Sequence, residues 1–295
     1  MKKMIYAAMA VVSMSYSAPA MAQSQDLQTK VNAYFTETLK AQQTVLEKAD
    51  REAFSQNKPS DTKLQLAIKG KDVTGYQKMV WAAWCEANKS LKEEKLMEAE
   101  DLKLAKHSSW NIPACLEPDA VMPYYYGKKG VAADGKYPLF LYVHGSGPKD
   151  HEWENGIQLG LRFKDSPSIY FIPQIPNEGE YYRWWHLSKQ YAFEKLIRQS
   201  MVNGDVDANR LYVFGISEGG YGSQRLASFY ADYWAAAGPM AGGEPLKNAP
   251  VENCANIGFS FLTGADDTGF YRNDLTWYTQ VAFDSAQLAR PLSVD

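Results

Sequence analysis

Histidine and cysteine are scarce in this chain, four and three among 295 residues. None stands in a Cys/His cluster with zinc-ligand spacing, so no structural metal is expected. No sign of charge is in excess: 31 Lys and Arg face 34 Asp and Glu, a formal net charge of −3. That balance argues against nucleic acid as a partner. No apolar run is long enough to span a bilayer, and there are no internal repeats or low-complexity tracts. With 45% hydrophobic and 22% charged residues, the composition is that of a globular chain and excludes a largely disordered one. Aromatics are the generous class at 13%, and they suit an aromatic-lined pocket and a core equally.

The chain starts with Lys2 and Lys3, a short apolar run from Met4 to Val12, and the small-x-small sequence Ala20-Met21-Ala22. Residues 1–22 therefore read as a secretory signal peptide cleaved before Gln23, and the protein is expected in the periplasm or secreted. Export permits disulfides. Cys85 and Cys115 are the candidate pair, closing a loop worth roughly 3–4 kcal/mol. Cys254 is then left as an odd thiol.

Residues 23–110 form a mainly helical N-terminal region in this reading. Val31, Tyr34, Phe35, Leu39, Val45 and Leu46 fall at helical spacing over 26 to about 50. A second helix is expected over 73–89, with Met79, Val80, Ala83 and Trp84 inward. The Glu/Lys-rich stretch 91–106 reads as a solvated helix face. Beyond Ile112-Pro113 the pattern changes to alternating strands and helices. Strands are expected at 121–126, 138–143, 168–173, 210–214, 234–238 and 257–262, and helices at 189–201, 219–233 and 273–288. Continuous apolar runs separated by helices imply a mostly parallel sheet covered on both faces, an α/β domain over 111–295.

Gly215-Ile216-Ser217-Glu218-Gly219 is a G-x-S-x-G element between the strand Arg210–Phe214 and a helix. That context is the one a nucleophile elbow requires, with glycines where a side chain would collide with the neighbouring strand or helix. Ser217 is the candidate nucleophile. The oxyanion it generates needs amide donors. One is the backbone N–H of Glu218. The other is Gly145 or Ser146, in His144-Gly145-Ser146-Gly147 after the strand 138–143. His144 reads as structural, orienting that loop. The acid should follow a later strand, where Asp266 and Asp267 both stand. Tyr181-Tyr182-Arg183-Trp184-Trp185-His186 lies after strand 168–173, where ligand sites form. Trp184, Trp185 and His186 are candidate pocket residues, and packing of this run is an equal alternative.

Residues 138–147 (PLFLYVHGSG), 207–220 (DANRLYVFGISEGG), 235–243 (AAAGPMAGG) and 264–272 (GADDTGFYR) resemble α/β-hydrolases. The resemblance is to the secreted polyhydroxybutyrate-depolymerase-like and feruloyl-esterase-like carboxylesterases, near the prolyl-oligopeptidase-type hydrolases. It covers about residues 120–290. The family's G-x-x-D element, laid on Gly264, selects Asp267 as the acid, and no cofactor is implied. The family also places a histidine base after the acid. Here His107, His144, His151 and His186 all precede Ser217. The C-terminal strand and histidine loop are thus expected to be missing and the domain truncated. Two alternatives stand beside this: a full-length protein that has lost catalysis, or an upstream histidine, best His186, serving as base. The implied function is an exported serine hydrolase acting on a small-molecule or polymer carboxylic ester, inactive as given if no base is supplied. A serine peptidase of prolyl-oligopeptidase type and a non-catalytic binding protein are the other readings.

Overall fold

The run Ser168–Pro173 is buried at every residue, which is how a strand flanked by neighbours and covered on both faces reads in sequence. In the computed structural model, which describes residues 26–50, 52 and 69–289, this run is one strand of an eight-stranded sheet. The signal peptide proposed for residues 1–22 lies outside the described residues. The chain divides between Glu93 and Glu94 into two units.

In the first unit, residues 26–47 form helix α1 and Val73–Lys89 form α2, close to the periodicity's expectation. Asn32 Nδ2 on α1 donates to Glu86 Oε2 on α2 at 3.2 Å. On α2 the buried stripe carries Ala83 and Ala87, whereas Val80 is 40% exposed although it was expected inward.

The second unit contains β1 (Glu100–Asp101), β2 (His107–Asn111), β3 (Val121–Lys129), β4 (Tyr137–Val143), helix α3 (Lys149–Arg162), β5 (Ser168–Pro173), α4 (Leu187–Asn203), β6 (Val206–Ile216), α5 (Glu218–Phe229), β7 (Ala236–Met240), β8 (Gly258–Phe259) and α6 (Arg272–Ala289). The sheet order is β1-β3-β5-β4-β6-β7-β8, with β2 paired to β3. Strands β5, β4, β6, β7 and β8 run parallel. β3 is antiparallel to both β5 and β2. The mostly parallel sheet with helices is the expected architecture.

Three local expectations differ. Residues 91–106 are not a helix. They contain β1 and a single 3-10 turn at Leu102–Leu104, and Leu96 and Leu102 are buried. With β2, residues 94–110 belong to the unit that holds the sheet, not to the helical region. Helix α3 is an addition. Its buried positions Trp153, Gly156, Ile157 and Gly160 keep helical spacing, and Trp153 and Ile157 join Tyr125, Tyr142, Tyr170 and Ile172 in one core cluster. Gly156 permits the close approach, since a Cβ there would lie 2.9 Å from the Tyr142 ring. Finally, the strand expected at 257–262 shrinks to Gly258–Phe259, with one isolated bridge from Leu262 to Met240.

The candidate disulfide does not form: all three cysteines are free thiols, with Cys254 buried. Cys85 lies on α2 of the first unit and Cys115 in a turn of the second. Among the described residues no helix is long and apolar enough to cross a membrane.

Candidate active site

Val143 at the end of β4 is in register with Gly215 near the end of β6. The parallel pairing therefore sets two loops side by side, His144–Gly147 and Ile216–Gly219. Ser217 sits between β6 and α5 with φ 54° and ψ −114°, a combination that costs an ordinary residue about 1–3 kcal/mol. Two backbone hydrogen bonds hold it there. Its N–H donates to the Met240 carbonyl at 2.9 Å, and its carbonyl accepts from Tyr221 N–H at 3.0 Å. The glycines are obligatory on steric grounds: a Cβ on Gly215 would fall 2.6 Å from the Gly219 oxygen, and one on Gly219 would be 2.8 Å from the His144 oxygen. Ser217 is half-buried, and no described residue hydrogen-bonds its hydroxyl.

Upstream of the elbow, Asp207 accepts from Asn209 N–H at 2.9 Å and from Arg210 Nε at 2.8 Å. The backbone bond, assisted by Arg210, holds this carboxyl below its ordinary range. The Asp207–Asn209–Arg210 element thus ties together the start of β6, where its pairing with β4 shifts register between Val206 and Leu211.

Glu218 opens α5, so its amide has no intrahelical partner. Its side chain is 3.6 Å from Arg183, and Oε1 is buried without a hydrogen bond. Burial pushes its carboxyl up, with Glu244 adding to the rise and Arg183 and Arg225 opposing it. Arg225 Nε lies 2.7 Å from Glu244 Oε1.

In the neighbouring loop, the Gly145 N–H is already taken by Glu152 Oε2 at 3.2 Å, whereas no described residue accepts from the Ser146 N–H. His144 is fully buried. Ile175 N–H donates to its Nε2 at 3.1 Å, so the ring proton must be on Nδ1, which donates to the Gly145 carbonyl at 2.7 Å. Burial lowers its pKa to about 4, against the smaller raising effect of that hydrogen bond, and the ring is neutral. His144 is structural, in keeping with the reading of its loop.

The aromatic run divides by residue. Trp184 is fully buried. Its indole N–H donates to the His144 carbonyl at 2.8 Å, and its ring stacks on Phe193 at 6.1 Å. It is closed to a ligand, which corrects its assignment to the pocket. Trp185 is half-buried, and the guanidinium groups of Arg225 and Arg183 lie over its ring at 3.9 and 5.9 Å. His186 occupies the N-cap position of α4 without a side-chain capping bond and meets Tyr181 edge-on at 6.0 Å.

Asp267 is half-buried and pairs with Arg272, whose guanidinium donates to Oδ1 at 3.0 Å. Arg272 Nε also donates to the Tyr221 hydroxyl at 3.3 Å, tying the loop to α5. Neither the Ser217 hydroxyl nor the Asp267 carboxylate has a histidine partner among the described residues. His107 packs edge-on against Tyr125 and Trp153, and His151 is exposed on α3. Glu152, Tyr182, Arg183 and Arg272 are site neighbours that the sequence did not single out: Tyr182 and Arg183 reach Gly145 and Glu218 from a distant segment, and Glu152 and Arg272 bond Gly145 and Asp267 locally. A cavity of about 410 Å³ lined by Phe140, Phe163, Tyr170, Tyr212 and Phe214 contains none of the candidate site residues.

No protein-family model matches the chain, and no curated protein sequence matches it either. Solved structures do. A thermostable esterase superposes over 61% of this chain and 51% of its own, with TM-score 0.51 and 24% identity. A ferulic acid esterase matches at 13% identity over 62% of this chain and 84% of its own, TM-score 0.43. An acylaminoacyl peptidase from Pyrococcus horikoshii matches at 13% identity over 61% and 35%, TM-score 0.45. The chain spans about half the length of the thermostable esterase. The first likeness, with the sheet order and the β6–Ser217–α5 connection, identifies the architecture: this is an α/β-hydrolase fold.

Proposed function

We propose that the chain is an exported serine hydrolase of carboxylic esters, with Ser217 as nucleophile. The observation that carries the reading is the strained backbone of Ser217 on a glycine-flanked strand-to-helix turn. Strain of this kind persists where a site needs it. Ser217 Oγ would attack the ester carbonyl, and the resulting oxyanion would lie against the amides of Glu218 and Ser146. Asp267 would orient a base, in exchange for its bond to Arg272. The deacylating nucleophile is water, and no cofactor enters this chemistry.

The four histidines leave the Ser217 hydroxyl without an imidazole among the described residues. Turnover by this chain is therefore expected to be orders of magnitude below that of a complete triad. The oxyanion donors and substrate binding would still supply about 10³–10⁴ over water. A second reading, a non-catalytic ligand-binding protein, is favoured by one observation: Asp267 is engaged by Arg272. Export would follow from a signal peptide over residues 1–22, with the helical region next and the hydrolase domain over the C-terminal part.

Aryl esters and peptide anilides, each assayed with the protein and with Ser217→Ala, test the reading. Slow ester hydrolysis that Ser217→Ala removes supports it. Faster peptide cleavage, also lost in Ser217→Ala, supports the peptidase instead. Activity that survives in Ser217→Ala assigns the catalysis elsewhere. The N-terminal mass of protein recovered from the periplasm, beginning at Gln23, tests export.

A further inference from the structure

Three of the four carbonyls of the His144–Gly147 loop face side-chain donors. The His144 oxygen accepts from the Trp184 indole at 2.8 Å. The Gly145 oxygen accepts from His144 Nδ1 at 2.7 Å and from the Tyr182 hydroxyl at 2.8 Å. The same hydroxyl is 2.9 Å from the Gly147 oxygen. Tyr182 is 7% exposed and meets the His144 ring edge-on at 6.0 Å.

A trans peptide is planar, with its C=O and N–H pointing in opposite directions. Whatever fixes a carbonyl therefore aims the next amide. The peptide after His144 sends its oxygen to Trp184 and its N–H, that of Gly145, to Glu152. The oxygen of the peptide after Gly145 faces His144 Nδ1 and the Tyr182 hydroxyl, whose single proton it shares with the Gly147 oxygen, and its N–H is that of Ser146, which no described residue engages. Donors held against a carbonyl also polarise the peptide, and its amide becomes a stronger donor.

We propose that Tyr182 and His144, with Trp184 behind them, are positioning residues that aim and polarise the Ser146 amide as an oxyanion donor. The Gly145 amide is committed to Glu152 and does not serve. The catalytic part of this inference rests on Ser217 being the nucleophile; the orientation of the peptide does not.

The test is Tyr182→Phe, which keeps the ring and removes the hydroxyl, with Ser146→Pro, at an exposed position, removing the amide itself. Two readouts are taken on the intact chain. The first is the second-order rate of fluorophosphonate reaction with Ser217. The second is the ¹H–¹⁵N resonance of Ser146 in ¹⁵N-serine-labelled protein. The proposal expects labelling at least 10-fold slower in Tyr182→Phe and about 100-fold slower in Ser146→Pro. It also expects the Ser146 resonance to move in Tyr182→Phe while that of Ser285, on α6, stays in place. An unmoved Ser146 resonance overturns the positioning. A moved resonance with a labelling rate within twofold of the parent overturns the role in the reaction. No labelling of the parent protein overturns the nucleophile instead, and the resonance still decides the positioning.

Discussion

Replacing Ser217 by glycine should make the protein more stable, although it removes the residue on which the proposed chemistry depends. At φ 54° and ψ −114°, Ser217 lies outside the left-handed helical region in which Ala105 sits at φ 49° and ψ 32°. Holding a residue with a Cβ there costs about 1–3 kcal/mol. Glycine adopts the conformation freely but loses about 0.4–1 kcal/mol through its more flexible unfolded chain. The net gain is on the order of 1 kcal/mol. The proper reference is Ser217→Ala, which also lacks the hydroxyl but keeps the Cβ and the strain. For a domain of this size each kcal/mol moves the midpoint by roughly 2–4 °C. Thermal unfolding followed by circular dichroism, with urea titration as a second measure, should place Ser217→Gly a few degrees above Ser217→Ala. A Ser217→Gly protein that melts at or below Ser217→Ala would refute the claim that the turn stores strain.

Three further outcomes follow from buried groups. His144 has a folded pKa of about 4 against an ordinary 6.5, so its contribution is complete above pH 6.5 and is lost as pH falls towards 4. The loss is on the order of 3 kcal/mol, and urea titrations across that window should show a shallower fall in His144→Asn than in the parent. Lys189 and Glu117 form a fully buried ion pair, supported by the Ser188 hydroxyl and the Tyr181 carbonyl. Lys189→Met alone should cost about 3–5 kcal/mol by leaving the carboxylate unpaired, and adding Glu117→Leu should recover much of it; a double variant less stable than the single would contradict this. Burial pushes the Cys254 thiol up to about 11, so a thiol reagent at pH 8 should modify Cys254 only after denaturation, as read by peptide mass.

What was legible in the sequence was whatever depends on short-range pattern. Ser168–Pro173 reads as a covered strand because every residue is apolar or small, and α2 keeps its periodicity from Val73 to Lys89. The elbow is legible because Gly215 and Gly219 each face backbone that excludes a Cβ. Strand β2 was not, since it buries only Trp110 among its residues, and α3 was not, because Gly156 and Gly160 weaken a helical pattern that tertiary contact then restores. The leucines of 91–106 are scattered through a Glu/Lys-rich stretch with no regular period, and Leu102 occupies the space that a Cβ on Gly127 would need, a contact available only once β3 exists. Within the site, the elbow and its loop are strand-end features, visible as Gly-rich sequence. The bond of Tyr182 to Gly145 joins residues 37 apart in sequence and exists only once the sheet order brings the end of β4 to the 181–186 segment, whereas those of Glu152 to Gly145 and Arg272 to Asp267 are closed locally, by side-chain placement that no spacing pattern announces. The same order is why Trp184, a pocket candidate in sequence, is instead a buried donor to the loop.

The chemistry proposed for this site stands or falls on Ser217 being a nucleophile. The most direct measurement is intact mass, followed by peptide mapping, after incubation with an excess of a fluorophosphonate. One phosphonyl adduct is expected, located on Ser217, formed slowly because no imidazole among the described residues reaches the hydroxyl, and absent in Ser217→Ala. Correctly folded protein that gains no mass, or gains it equally in Ser217→Ala, would contradict the claim.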